Sequence, residues 1–457
     1  PEILLIQSKG MERWLSMELA KHNGVCANCS FLFPNAFLRE IYKKIIPDLP
    51  ETSRFELDIM TFSVMKVLPC HINQPGFESL KNYLTDDQHQ LKLYQVSKKI
   101  VDTFDQYLVF RPEMIFSWEA GLADHWQAKL WRGLVSNGDN LHRARLRKTL
   151  IQKIRNKEVE IDNFFERISI FGISYLPDFH LQVFSELSRI ISVNLFLMNP
   201  CREYWADIVS DRGIKQIKGR YADKQFSEDS LHLERGNRLL ASMGLMGKNF
   251  FSRINEFDCK TIEKFEARGD GSLLSTLHGD ILNLIDKPGS KPAHEAAYDR
   301  SIQFHSCHSP MREIEVLHDN LLAMFEENSK FLPKNIIVMT PDIGFYAPFI
   351  HSIFDTQNDP TLRIPYSIAD QNIRKNSRII DGFLSILDLC GGRFGNAQVL
   401  LLLEFPAIRE KFGLIDADLK KIEFWIRDTH IRWGIDVDNR TAFGLPGVFE
   451  NTWKAGI

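Results

Sequence analysis

Residues 2–20 change from apolar to polar and back in the order that a strand, a turn and a helix require. Ile3 to Ile6 form an unbroken apolar run, which is typical of a strand buried on both faces. Gln7 to Gly10 interrupt this run, and Met11, Trp14 and Leu15 then recur at the spacing of one helix face. The pattern therefore predicts a strand–turn–helix unit that begins an α/β domain.

A second α/β pattern follows further along the chain. Apolar segments at 168–173 and 193–198 flank an amphipathic stretch over 180–192, which predicts two parallel strands joined by a helix. Between the two patterns, residues 34–165 show mostly helical spacing of their apolar positions. The simplest interpretation is one α/β domain that is interrupted by a helical insertion.

The α/β pattern recurs beyond residues 206–235, which are predicted to be a loop or a surface insertion, and beyond a predicted linker at 286–300. Ser301–Cys307 alternates between apolar and polar residues like a strand, and Ser309 is suited to cap a helix. Asn335–Met339 is a short apolar run that predicts the next buried strand. The rest of the chain again shows helical spacing.

The turn after the first apolar run is polar and cationic. Open α/β sheets bind their ligands at the carboxyl ends of the strands, which is where this turn lies. Gln7 and Lys9 in the turn, with Arg13 one helical turn further on, suit contacts to phosphates and base edges better than contacts to an apolar substrate. We therefore expect a phosphate-bearing ligand at this edge.

The composition limits which ligands and which cellular compartment we expect for this chain. The 457 residues carry a formal net charge of −3, and their 44% hydrophobic and 25% charged content is that of an ordinary globular protein. Without a global positive charge, any nucleic-acid site has to be a local basic surface. Seven scattered cysteines, no secretory signal and no membrane-length apolar stretch favour a reduced, cytoplasmic protein.

Sequence patterns that invite a nucleotide or metal assignment fail on spacing. A phosphate loop ending at Gly247-Lys248 would need glycine in place of Ser242 and a hydroxyl residue in place of Asn249. Two small groups of metal-ligand side chains are present, His22 with Cys26 and Cys29, and His305 with Cys307 and His308. A structural zinc site needs four ligands, so packing is the simpler interpretation of both groups. The sequence thus predicts no ATP hydrolysis by this chain.

Two charged clusters each leave two interpretations open. The densest positive charge lies on one predicted helix, at Arg143, Arg145, Arg147, Lys148, Lys153, Arg155 and Lys157. It is either a solvated helix face or a surface that follows nucleic-acid phosphates. Asp102, Asp105, Gln106 and Arg111 form the second cluster, which is either the polar face of a helix or a reader of base edges.

Eight stretches of this chain, in the same order, resemble the RecC family, the gamma subunits of bacterial exodeoxyribonuclease V. They are QSKGMERWL (7–15), YLTDD (83–87), FDQYLVFRP (104–112), FGISYLP (171–177), NPCREYWADI (199–208), FHSCHSPMREIEVLHD (304–319), IIVM (336–339) and IRWGID (431–436). The resemblance covers nearly the whole chain. We expect further family sequence before its first residue and after its last, so that this chain is an N-terminal fragment.

The resemblance implies the fold of an inactivated superfamily 1 helicase, with two RecA-like domains that each carry a helical insertion. The implied boundaries are 1–32 with 166–290 for the first RecA-like domain, 33–165 for its helical insertion, 300–375 for the start of the second domain and 376–457 for the insertion of that domain. A fold of this type without a working phosphate loop agrees with the α/β patterns found above.

The resemblance also implies a function in a complex. Family members work with RecB and RecD subunits, hold the 3′-ended single strand and scan it for the Chi octamer. By analogy the chain is a non-catalytic DNA-binding subunit that contacts RecB-like and RecD-like partners and both single-stranded and duplex DNA. It holds no cofactor of its own, because the partner subunits use ATP and magnesium.

The family's Chi-reading surface matches this chain at five positions: Gln7, Asp102, Asp105, Arg111 and Arg143. The chain departs from the best-known family pattern at Lys9, Arg13, Phe33, Arg39 and Thr103. Three of these departures add positive charge. We therefore predict that contact to the DNA backbone is kept, while the octamer that is read is left open.

Two other classes of function stay open at this point. The first is an active ATP-dependent helicase or nuclease whose motifs lie outside this fragment, and robust ATPase activity of the full-length protein would favour it. The second is a protein-interaction scaffold without a DNA role, and salt-sensitive binding of single-stranded DNA would exclude it.

Overall fold

The chain forms two compact units in the computed structural model, residues 1–302 and 303–457. The structure describes residues 2–46, 49–85, 87, 90–136, 138, 140–159, 165–220, 234–267, 269–286, 299–328, 330–356, 359, 362–369, 374 and 377–457. Within these residues the chain is a mixed α/β protein with a parallel sheet in its first unit.

A parallel sheet organises the first unit. Its strands are β1 (Glu2–Leu5), β2 (Cys29–Leu32), β3 (Arg167–Phe171) and β4 (Ser192–Phe196), in the order β2-β1-β3-β4. Leu5 of β1 pairs with Leu32 on one side and with Ile170 on the other. The strands predicted around residues 3–6, 168–173 and 193–198 are confirmed, whereas β2 was not predicted.

The first strand and helix follow directly from the sequence pattern. Ile3 to Ile6 are all buried, as expected for a central strand. Ser8 then caps helix α1 (Lys9–Asn23), because its Oγ accepts a hydrogen bond from the Met11 backbone N–H. Gly24 ends the helix in the left-handed region, with φ of 82°.

The described chain between β2 and β3 is helical, as predicted. Its helices are α2 (Pro34–Ile45), α3 (Leu57–His71), α4 (Glu78–Leu84), α5 (Leu91–Phe110), α6 (Pro112–Glu119), α7 (Trp126–Val135) and α8 (Arg143–Arg155). They divide between two hydrophobic cores. The sheet packs against α2 and α8 through residues such as Ile41 and Leu150, while α3 to α7 enclose a separate core around Phe104, Trp118 and Trp131.

The first unit continues with α9 (Asp178–Leu187), α10 (Asp211–Arg220), α11 (Arg238–Met243), α12 (Leu245–Ile254) and α13 (Leu273–Leu282). Helix α9 joins β3 to β4, which confirms the predicted parallel pair. Of the two alternatives predicted for 206–235, a loop is wrong in part, since α10 forms there with Ile214 buried. Residues 221–233 lie outside the described ones. Most of the predicted linker, 287–298, also lies outside them.

The regular elements that the structure describes in the second unit are all helices. Its α-helices are α14 (Pro310–Glu327), α15 (Ile343–Phe354), α16 (Arg378–Cys390), α17 (Asn396–Leu403), α18 (Pro406–Phe412), α19 (Asp416–Asp428), α20 (Val437–Thr441) and α21 (Trp453–Gly456). Ser309 caps α14 as predicted, its Oγ accepting from the Arg312 backbone N–H at 3.3 Å. Among the helices described, none has both the length and the apolar character needed to cross a bilayer.

Two strands predicted beyond residue 300 are wrong. Ser301–Cys307 and Asn335–Met339 contain no strand. Ile337 and Met339 are 82% and 85% exposed instead of buried. A strand forms only when its backbone groups pair with a neighbour, and the second unit has no strand within its described residues to offer one.

Candidate nucleic-acid interface

The turn after β1 is fixed by its helix cap and leaves its polar side chains at the surface. Ser8 Oγ accepts from the backbone N–H of Met11 at 3.2 Å, which sets the direction of α1. Gln7 is exposed, and its Oε1 accepts a long hydrogen bond of 3.5 Å from Ser174 Oγ. Because Ser174 lies in the loop after β3, Gln7 stands at the shared carboxyl edge of β1 and β3.

Lys9 and Phe33 meet at the same edge from two neighbouring strands. Lys9 Nζ lies 2.7 Å from Glu12 Oε2 and 6.0 Å from the centre of the Phe33 ring. Phe33 directly follows β2 and is 41% exposed. Arg13 is exposed one turn further along α1 and makes no ion pair within the described residues. Proteins that bind single-stranded nucleic acid combine cationic side chains with aromatic rings on which the bases stack.

Asp105 and Arg143 join α5 to the start of α8. Arg143 Nη1 lies 3.3 Å from Asp105 Oδ1 and donates to Oδ2 at 3.5 Å. Burial raises the pKa of Asp105 above its usual value, the charge of Arg143 acts to lower it, and Asp102 adds to the increase. Asp102 itself is exposed one turn away on α5. Asp105 is therefore engaged by Arg143, while Asp102 is accessible to a ligand.

Arg39 lies on a groove that Arg143 also lines. Arg39 Nη1 is 3.6 Å from Glu56 Oε1, and both side chains are about half exposed. The groove has a volume of about 790 Å³ and lies between α2, residues 49–56 and the beginning of α8. The structure thus brings Arg39, Arg143 and Asp105 together, although 38 positions separate Asp105 from Arg143 in the chain.

Arg111 stands apart from both groups. It ends α5, where its backbone N–H donates to the Tyr107 carbonyl at 2.8 Å, and its guanidinium lies 5.8 Å from the centre of the Tyr107 ring. Its side chain is exposed. No contact in the described part of the chain joins Arg111 to the sheet edge or to the groove.

The basic residues of α8 mostly hold this helix in place. Arg155 Nε donates to Glu186 on α9 at 3.0 Å, and Lys153 Nζ donates to the Ile45 carbonyl at 3.0 Å. Arg147 is buried, with its guanidinium 5.1 Å from the centre of the Phe179 ring. These contacts favour structural roles for them over a continuous phosphate-binding face.

Glu119 at the end of α6 fixes the beginning of α8. It accepts hydrogen bonds from His142 Nε2 at 2.8 Å, from Arg145 Nη2 at 2.5 Å and from Trp131 Nε1 at 3.2 Å. His142 is fully buried and caps α8, its Nδ1 accepting from the Arg145 backbone N–H. Burial acts to raise the pKa of Glu119, but the bonds from His142, Arg145 and Trp131 lower it to about 2.

The remaining chemical motifs give no site. Lys248 lies inside α12 and donates to the Ile208 carbonyl at 2.6 Å, so it does not belong to a phosphate loop. Cys26 Sγ and Cys29 Sγ are 3.8 Å apart as free thiols. Among the described residues, no three His, Cys, Asp or Glu side chains are grouped as a metal site requires.

Sequence reasoning missed two residues of the groove and one that positions it. Tyr42 and Lys43 line the groove together with Arg39. The i, i+4 spacing of Arg39 and Lys43 was a usable signal, because such residues share a helix face. Glu119 gave no signal of its own, since its partner Arg145 is 26 positions away.

The fold and this edge define an α/β protein with a parallel sheet whose carboxyl edge presents cationic, amide and aromatic side chains. The family described as RecC, N-terminal domain, matches residues 1–284, and the RecBCD enzyme subunit RecC fourth domain matches residues 376–457. The chain belongs to the RecC family.

Individual relatives agree with this assignment. The chain is 34% identical over 499 residues to RecBCD enzyme subunit RecC of Escherichia coli K12, covering 100% of this chain and 44% of that protein. It is also 34% identical over 519 residues to the same subunit of Haemophilus influenzae (100% and 45% covered), and 29% identical over 483 residues to that of Mycolicibacterium smegmatis (100% and 42%). The chain thus spans less than half the length of these relatives.

Proposed function

We propose that this chain is the DNA-binding part of a RecBCD-type helicase and nuclease that repairs double-strand breaks by homologous recombination. In this role it channels the 3′-ended single strand, recognises a Chi octamer and performs no chemistry itself. Its partners are RecB-like and RecD-like subunits, which supply ATP and magnesium chemistry, and the complex acts in the cytoplasm on single-stranded and duplex DNA.

One observation carries the DNA-binding part of this proposal. Gln7 and Lys9, which follow β1, and Phe33, which follows β2, lie at one edge of a parallel sheet. Parallel strands bind ligands at that edge, and an amide, an ammonium and an aromatic ring are suited to a base edge, a phosphate and a base face. Membership of the RecC family adds independent support.

The finer fold assignment belongs to the same proposal. We infer an inactivated helicase architecture in which residues 1–32 and 166–290 form the first RecA-like domain and 33–165 its insertion. Residues 300–375 then begin the second such domain, and 376–457 begin its insertion. The parallel order of β2, β1, β3 and β4, with helices α3 to α7 around their own core, supports the first half of this scheme.

Chi-dependent cleavage tests the function directly. A complex of the full-length protein with its partner subunits is given linear duplexes that carry different candidate octamers, and the fragments are resolved on a gel. We expect one octamer to change the position and strand of cleavage. Cleavage that is indifferent to every octamer would contradict Chi recognition, and robust ATP turnover by the full-length protein alone would contradict the non-catalytic role.

Charge reversal tests the proposed binding residues, with Arg155 as the control. Arg111→Glu and Arg143→Glu are expected to weaken salt-sensitive binding of single-stranded DNA, because each replaces a phosphate-binding cation by an anion. Arg155→Ala, whose guanidinium is held by Glu186, is expected to leave binding unchanged. Unchanged DNA binding and an unchanged Chi response in both reversed variants would contradict this site assignment.

A further inference from the structure

The groove beside Arg39 contains a buried hydroxyl group without a partner. Tyr42 on α2 is 5% exposed and lines this groove. Its ring packs in the core with neighbours such as Ile41 and Ile45, but its Oη has no hydrogen-bond partner in the described structure. Leaving a buried hydroxyl unpaired costs free energy, and native proteins pair nearly all such groups. We therefore expect the hydrogen-bond partner of this hydroxyl group to belong to a bound ligand.

The surroundings of Tyr42 favour an acceptor as that partner. Burial raises the pKa of Tyr42 well above its usual value, while the charges of Arg147 and Arg143 act to lower it. The hydroxyl consequently stays protonated and able to donate. The charges of these two guanidinium groups act on the hydroxyl, and a positive potential favours an anionic acceptor.

The charged side chains that line the groove restrict where such an anion fits. Arg39 and Lys43 lie one turn apart on α2, and Lys43 makes no ion pair within the described residues. Glu40, Glu51 and Glu56 line the same groove and offset these charges. Tyr42 and Arg143 line the same groove and carry hydrogen-bond donors. Arg143 uses Nη1 for Asp105, and its guanidinium has further N–H groups for a second partner.

We propose that Tyr42 and Arg143 form, in this groove, a subsite for one phosphodiester group of single-stranded DNA. Tyr42 Oη donates to a phosphate oxygen there, and Arg143 supplies the positive charge. This inference rests on the proposed function. It adds to that function a contact from a neutral, buried hydroxyl group to the DNA backbone, which does not depend on the base. Tyr42 was not among the residues that sequence analysis selected.

Tyr42→Phe in the full-length protein tests the subsite. The variant is expected to bind a fluorescent oligothymidylate about tenfold more weakly, which corresponds to one hydrogen bond to a charged acceptor. The salt dependence of binding should not change, since no charge is lost, whereas Arg143→Ala should lower the slope by about 0.7 for one phosphate contact. Stability should be equal or higher, because the unpaired hydroxyl is gone. Tyr83→Phe, an exposed tyrosine on α4, is the matched control and should change nothing.

Several results would overturn the subsite. Unchanged affinity in Tyr42→Phe would do so, as would a clear loss of stability, because the hydroxyl would then have a structural partner such as a buried water molecule. Millimolar inorganic phosphate that competes with DNA in the unaltered protein, but not in Tyr42→Phe, would support it. Binding of phosphate through Tyr42 without any effect on DNA would identify a free-anion site and overturn the proposal.

The outcome separates this inference from the proposed function. If Tyr42→Phe binds DNA normally and its complex still responds to Chi, the subsite is wrong and the function stands. If the unaltered protein fails to bind single-stranded DNA at all, the proposed function fails, and the subsite fails with it.

Discussion

The sheet edge and helix α8 use positive charge in opposite ways. At the edge, Lys9 pairs only with a neighbour on its own helix and Arg13 has no ion pair within the described residues. On α8, Arg145 and Arg155 pair with largely buried carboxylates from other helices. A cation with a buried partner stabilises the fold, whereas one without a partner is available to a ligand. Apart from Arg143, which lines the groove, the basic residues of α8 are therefore weaker candidates for binding DNA than the sparser charge at the sheet edge.

The largest expected difference is in stability. Glu119→Ala removes the shared acceptor of His142 and Arg145 and should lower the free energy of unfolding by about 3 kcal/mol. Lys9→Ala at the sheet edge should change it by less than about 0.5 kcal/mol. Urea unfolding followed by tryptophan fluorescence measures both. Similar losses in the two variants would contradict the contrast between the regions.

Acid should weaken the α8 region through the same carboxylate. The pKa of Glu119 is about 2 in the folded protein, below its ordinary value of 4.5. A lowered pKa contributes stability that is complete above the ordinary value and is lost as the pH falls from there toward 2. We therefore expect Glu119→Gln to lose less stability than the unaltered protein between pH 4.5 and pH 2, measured by thermal unfolding. Parallel pH profiles would contradict this account.

A matched pair of arginines separates binding from stability. Arg13→Ala should reduce the salt slope of single-stranded DNA binding by about 0.7, as expected for one lost phosphate contact, and leave stability unchanged. Arg155→Ala should lower stability, because it leaves Glu186 without this partner, and should keep the slope. Fluorescence anisotropy at several salt concentrations gives the slopes. If Arg13→Ala lowered stability and Arg155→Ala reduced the salt slope, the comparison between the two regions would be wrong.

A moderate effect on stability is expected at the helix cap that fixes the turn after β1. Ser8→Ala removes the cap of α1 and should cost about 1 kcal/mol of stability. Ser8→Asp keeps a capping oxygen and should cost less. If both variants lose the same amount of stability, the cap does not hold the turn that carries Gln7 and Lys9.

Local sequence patterns predicted those parts of the fold that depend on local burial. Ile3 to Ile6 were recognised because an unbroken apolar run is characteristic of a central parallel strand, and residues 168–173 because they are mostly apolar. β2, CSFL, is only half-buried and short, so its pattern carries little signal. Asn335–Met339 has the pattern of a strand without forming one, because pairing depends on a neighbour that no local pattern reveals.

The candidate site was predictable to the extent that its residues follow strands. Gln7 and Lys9 could be assigned to the carboxyl edge from the first apolar run alone. The role of Arg145 could not be predicted from the sequence, because its partner Glu119 lies 26 positions earlier and only the tertiary fold brings the two side chains together. Tyr42 was hidden for a different reason, since an aromatic residue on an apolar helix face is indistinguishable from ordinary core.

The neighbouring positions of β1 and β3 have a consequence for how the protein is made. Glu2 and Arg167, which form an ion pair across these strands, are 165 positions apart. At a synthesis rate of about 5–20 residues per second, β1 is made roughly 8 to 33 s before β3, the second of its two partner strands. Helices α3 to α7 have their own core and can fold during that interval. We expect helices α3 to α7 to become stable first and the pairing of β1 with β3 to follow.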